Sequence, residues 1–118
     1  MSDKFNDIAA VVATRDFAAA RAWYSGLFGR EPDIEPIERV AEWQIAATAW
    51  LQLLEDADRA GKSAVRLGVD SVADQIAELN AHGISTGEPV VIAGMVTVLD
   101  IADPDGNEVS FVEDLATS

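Results

Sequence analysis

The residue types able to do covalent or metal chemistry are scarce in this chain. It has one histidine, His82, and no cysteine. Without thiols there is no thiolate nucleophile, no disulfide framework and no soft-metal site. His82 stands in an Ala-His-Gly segment at the end of an expected helix, where a cation favours the negative end of the macrodipole, so it reads as a surface cap. Acids are plentiful, but Glu55-Asp56 and Glu113-Asp114 fall at strand exits and read as solvated surface, while Asp103 and Asp105 read as turn formers. The remaining groups with recognition chemistry are three tryptophans, each a flat apolar plate with one N–H. Trp23, in the first helical segment, reads as structural. For Trp43 and Trp50, in strand-like segments, core packing and ligand stacking both remain open.

The charge balance narrows the partners. Eight Lys and Arg face 21 Asp and Glu, for a net charge of −13. Phosphate backbones require clustered basic residues, and none cluster here, so neither nucleic acid nor an anionic membrane surface is an expected partner. A cationic small ligand would be drawn by the field, although a solvated acidic surface kept for solubility explains the same charge. The apolar runs fall well short of the roughly 18–20 residues that cross a bilayer. The start, MSDKFND, is polar with no apolar segment of signal type behind it, so the expected location is cytoplasmic. At 118 residues and 49% hydrophobic, the chain reads as a single domain, 1–118.

The elements that must position these side chains come in two copies. Ala9 to Pro32 and Ala64 to Pro89 share a layout: a β-type run, a capping residue (Asp16 or Ser71), an alanine-rich amphipathic helix, a glycine (Gly29 or Gly83), then Glu-Pro. The copies are offset by about 55 to 58 residues, and a fixed internal period fixes architecture first. In module one (about 7–56), Ile8 to Thr14 is a strand and Asp16 caps a helix over roughly 17–27, with Phe17, Ala20, Tyr24 and Leu27 or Phe28 on one face. Glu31 to Val40 reads as a strand broken by Pro32 and Pro36, suited to an edge, and Glu42 to Ala47 with Trp50 to Glu55 as a hairpin. The polar stretch 57–63 reads as a linker. In module two (about 64–114), strands are expected over Ala64 to Val69, Pro89 to Ile92, Met95 to Ile101 and Glu108 to Glu113. Ser71 caps the helix, and Asp103-Pro104-Asp105-Gly106-Asn107 forms the last turn. The fold class is α+β, with each module βαβββ.

This duplicated module, with its Tyr-bearing first helix running into Leu27-Phe28-Gly29 and its DPDGN turn before the last strand, resembles the vicinal oxygen chelate superfamily. That group contains glyoxalase I, extradiol dioxygenases, fosfomycin-resistance enzymes and bleomycin-resistance proteins. The resemblance spans about residues 7 to 114. It implies curled mixed sheets around a cleft, with metal ligands on the first and last strand of each module. The matching first-strand positions are Ala9 and Ala64, and the last-strand positions are Gln52 and Ser110. Two alanines, an amide and a hydroxyl do not replace the His nitrogens and carboxylate of that site. The resemblance therefore leans toward the metal-free, bleomycin-resistance-like branch, whose members are dimers that sequester a ligand.

If Gln52 and Ser110 face the cleft, strand alternation brings Trp50 and Leu54 with the first, and Glu108 and Val112 with the second. Ala9 brings Val11 and Ala13, and Ala64 brings Arg66 and Gly68. The implied ligand-binding set is Trp43, Trp50, Gln52, Arg66, Glu108 and Ser110, with no catalytic residue, no metal ligand and no cofactor. Arg66 either pairs with Glu108 across the sheet or receives a ligand carboxylate. The reading is a metal-independent small-molecule-binding protein for an aromatic or cationic ligand, in the manner of antibiotic resistance or self-protection. A lyase, isomerase or dioxygenase with an atypical site is the alternative, and only Glu108 offers it a general acid–base group. A homodimer is expected, with Val90 to Val98 and Trp43 to Leu54 as candidate buried surfaces.

Overall fold

A short strand of small and branched residues starts each half, and each half then follows the same path. The computed structural model describes residues 4–115. Strand β1 (Ile8–Thr14) leads into helix α1 (Phe17–Phe28), then β2 (Val40–Ala46) and β3 (Ala49–Glu55). The second half gives β4 (Ala64–Gly68), α2 (Val72–Ala81), β5 (Val90–Ile92), β6 (Val96–Ala102) and β7 (Glu108–Asp114). The sheets are mixed, with orders β1-β3-β2 and β4-β7-β6-β5. In each, the first strand runs parallel to the last, and the remaining neighbours pair antiparallel. The fold is α+β with the βαβββ pattern twice.

The caps behave as their chemistry requires. The Asp16 carboxylate accepts from the Ala19 amide at 3.2 Å, and the Ser71 hydroxyl accepts from the Asp74 amide at 3.1 Å. Each satisfies an amide that the first turn leaves without a helical partner. Gly29 ends α1 at φ 70°, a left-handed position that favours glycine. The broken strand expected over Glu31 to Val40 shrinks to one bridge, Ile34 to Glu42. Pro32 and Pro36 lack amide donors on either side of it, and Arg39 turns the chain at φ 65°.

Alternation then sorts each strand into two faces. Leu51 and Leu53 on β3, and Val109 and Phe111 on β7, pack under the helices in one cluster with Tyr24, Leu27, Val72 and Leu79. The other face of each sheet carries no helix. The halves are locked through the DPDGN turn. Asn107, fully buried, donates from Nδ2 to the Ala13 carbonyl at 2.9 Å and to Asp103 Oδ2 at 2.8 Å, and its Oδ1 accepts from the Ser63 amide at 3.0 Å. The Tyr24 hydroxyl donates to Asp103 Oδ2 at 2.7 Å, so the two signatures of the resemblance, a helix tyrosine and a distant turn, meet in space. Arg15 pairs with Asp105 at 3.1 Å across the same junction. Segment 57–63 is a turn pressed onto that loop, with Ala60 buried. It is tighter than its polar composition implies.

Candidate functional site

The helix-free faces hold the polar groups that buried strands cannot. On β3, Trp50, Gln52 and Leu54 share the open face, opposite the buried Leu51 and Leu53. On β7, Glu108, Ser110 and Val112 do the same. Gln52 stands directly across from Glu42 in the antiparallel register, and its Nε2 donates to Glu42 Oε2 at 2.8 Å. Ser110 stands across from Asp100, and its hydroxyl donates to Asp100 Oδ1. The amide and hydroxyl are thus already engaged, each by an acid that sequence reading missed. The signal was present: Glu42 and Asp100 are separated by the same interval as Gln52 and Ser110. Only the hairpin register reveals them as partners.

The first cavity opens where the free edges of β1 and β4 approach one another. It is a cleft of about 390 Å³, walled by Ile8, Ala9 and Ala10 of β1, Ala49 and Trp50 of β3, and Val65 to Gly68 of β4. Trp50 is half-buried there, and Arg66 is the only ionisable side chain in the lining. A second cavity of about 330 Å³ lies over β4, β7 and β6, where Arg66, Glu108 and Ser110 come together. Arg66 borders both. Gln52 lies on Trp50's face but outside the first cleft.

Trp43 does not belong to this set, which corrects its expected place as a second plate. It is fully buried, 5.6 Å from Phe28 and 6.1 Å from Tyr24 between ring centres, and its Nε1 donates to the Arg30 carbonyl. The reason is register: Trp43 pairs with the inward-facing Leu51, whereas Trp50 pairs with Gln44. The alternative of an Arg66–Glu108 ion pair is not formed either. Arg66 registers with Ser110, and Glu108 with Ala64. His82 is exposed, with Nδ1 against the Glu78 carbonyl at the end of α2 and away from the cleft lining.

The superfamily implies a metal, so the donor set must be weighed. Ala9 and Ala64 offer methyl groups, and Gln52 and Ser110 are hydrogen-bonded to acids. Among the described residues no three of His, Cys, Asp or Glu gather in metal-holding range. These residues do not fit the metal of that superfamily. The strongest electrostatic perturbation lies elsewhere. Burial, reinforced by the Asp103 carboxylate, pushes the Tyr24 phenol far above its ordinary range and keeps it a donor.

Paired βαβββ modules around an open cleft define a class of protein, and comparison with known proteins narrows it. No family model matches the chain, and no curated protein matches it in sequence. Among solved structures it is similar to a glyoxalase/bleomycin resistance protein from Catenulispora acidiphila, at 32% identity over 92% of this chain and 98% of that one, with TM-score 0.87. It shares the fold of a bleomycin-binding protein complexed with bleomycin (18% identity, 96% of this chain and 99% of that one, TM-score 0.72). It also shares that of a lactoylglutathione lyase from Agrobacterium tumefaciens (18%, 99% and 99%, 0.75). The chain belongs to the glyoxalase/bleomycin resistance protein family of the vicinal oxygen chelate superfamily.

Proposed function

We propose that this protein binds and sequesters a small aromatic ligand in the cleft between β1 and β4, without a metal and without transforming it. The observation that carries the reading is the lining itself: an indole plate, Trp50, among small apolar residues that include Ala9. Flat apolar walls with few polar groups suit a planar ligand. The family provides precedent, since one protein of the same fold holds bleomycin. A lyase shares the fold as well, so fold alone does not choose between binding and catalysis. The donor chemistry favours binding: Glu108 is exposed at the rim of the neighbouring cavity and has no base or nucleophile paired with it.

The reading is tested in two measurements on the purified chain. Elemental analysis is expected to return no stoichiometric zinc, iron, manganese or nickel, and about one metal per chain would overturn metal independence. Titration with aromatic compounds, followed by tryptophan fluorescence, is expected to give saturable quenching, with the compound recovered unchanged. Turnover of the bound compound would move the protein to the enzymatic branch.

A further inference from the structure

Charge in the cleft runs opposite to charge on the molecule. The chain carries −13 overall, yet the first cleft contains no acid and one cation, Arg66. The other five arginines all have carboxylate partners: Arg15 with Asp105, Arg21 with Glu31 and Glu35, Arg30 with Asp33, Arg39 with Glu55, and Arg59 with Asp56. Among the described residues, Arg66 is the one arginine with no ion pair. Its neighbours on the same face, Ala64 and Gly68, are too small to cover it, and Ser110 across the ladder is taken by Asp100. In the repeat, Arg66 occupies the place of Val11, so this guanidinium is not inherited from a feature common to both modules.

We propose that Arg66 is an anion-receiving group, and that the ligand is an aromatic carboxylate whose ring lies against Trp50. This rests on the binding reading above and replaces the cationic ligand expected from net charge with an anionic one. The guanidinium is a planar fork matched to a carboxylate, with two parallel N–H donors for two oxygens. The negative field of the whole molecule opposes an anion at long range. Recognition therefore has to come from contact at the cleft, through the paired N–H donors of Arg66 on the ligand carboxylate. A cationic ligand would meet Arg66 as a like charge with no acid in the lining to offset it.

The test uses matched acid and amide probes: naphthoic acid against naphthamide, and indole acetic acid against indole acetamide, titrated calorimetrically into the full chain. The acid member of at least one pair is expected to bind about tenfold or more tightly than its amide, the range of a hydrogen bond to a charged group. Arg66→Gln is expected to abolish that discrimination, bringing the acid to the affinity of its amide, and Arg66→Lys to retain part of it. Arg66 is exposed, and a melting curve matching the parent checks that each variant folds. Equal binding of acid and amide, tighter binding of the amide, or discrimination that survives Arg66→Gln would overturn the proposal while leaving the aromatic cleft standing. Binding of neither member of either pair would overturn the aromatic reading and this inference together.

Discussion

Trp43 and Trp50 sit on neighbouring strands and face opposite sides of one sheet. The first is a wall of the core and the second a wall of the cleft, so the same substitution has different consequences. Trp43→Ala is expected to cost roughly 3–5 kcal/mol through the cavity it leaves. Trp50→Ala is expected to weaken an aromatic ligand about tenfold, since stacking adds roughly 0.5–1.5 kcal/mol beyond area burial, with a smaller loss of stability. Denaturation curves of both variants, set beside ligand titrations of the second, check this. A Trp50→Ala protein with parental affinity and a large stability loss would return that residue to the core. Tyr24 supplies the pH-dependent counterpart. Its folded phenol lies above the ordinary value of 10.0, held by burial first and by Asp103 second. The stability it provides is thus complete below about pH 10 and declines as pH rises past it, by up to about 1.4 kcal/mol per pH unit. Because it is the only tyrosine, the tyrosinate absorption reports on it alone. That absorption is expected to appear only with unfolding. Tyr24→Phe should cost about 1–2 kcal/mol at neutral pH and flatten the alkaline loss; an ordinary tyrosinate titration in the folded protein would contradict the buried bond.

Between elements, the junction of the modules is the tightest constraint. Gly61 has φ +82°, and a Cβ added there would lie 2.5 Å from the Asp105 carbonyl oxygen, a backbone atom that cannot swing aside. Gly61→Ala is expected to cost at least about 1–3 kcal/mol, whereas Gly87→Ala, with open space and no positive φ, should be close to neutral. Equal stabilities in chemical denaturation would show that the 57–63 turn yields. This junction also marks how far the sequence could be read. The elements were legible because each carries local chemistry: Asp16 and Ser71 at helix starts, alternation along β3 and β7, Pro and Gly in the last turn. The open face of β3 followed from alternation too, which is why Trp50, Gln52 and Leu54 emerge together. The β2–β3 hairpin was legible as well, but not its register. The face of Trp43 hangs on the β2–β3 register, which shifts between Gln44 and Ala46. Glu42 and Asp100 become site residues only through cross-strand pairing. Two prolines do not say how much of Glu31 to Val40 still pairs.

At the scale of the whole molecule, the outer edge of the four-stranded sheet is left uncovered among the described residues. Strand β5 ends the four-stranded sheet, and Val90, Val91 and Ile92 are 57%, 60% and 51% exposed, with Met95 beside them at 57%. Three consecutive branched apolar residues on a free edge present unpaired backbone groups and apolar side chains together, a surface that proteins normally pair, cover or charge. Nothing in residues 4–115 covers it, and the expected location of an interface in Val90 to Val98 coincides with it. A symmetric pair, in which the same patch meets itself, closes such an edge without leaving another open. The protein is therefore expected to be a homodimer, with light scattering giving twice the 12.6 kDa chain mass at micromolar concentration. Val91→Lys places a charge at the centre of the patch and is expected to give the 12.6 kDa species with an unchanged fold by circular dichroism. A parent protein that runs as a monomer would remove the dimer altogether. A dimer that survives Val91→Lys would instead move the interface to the exposed Ile8, Val11 and Ile45 on the other sheet, beside the mouth of the Trp50 cleft.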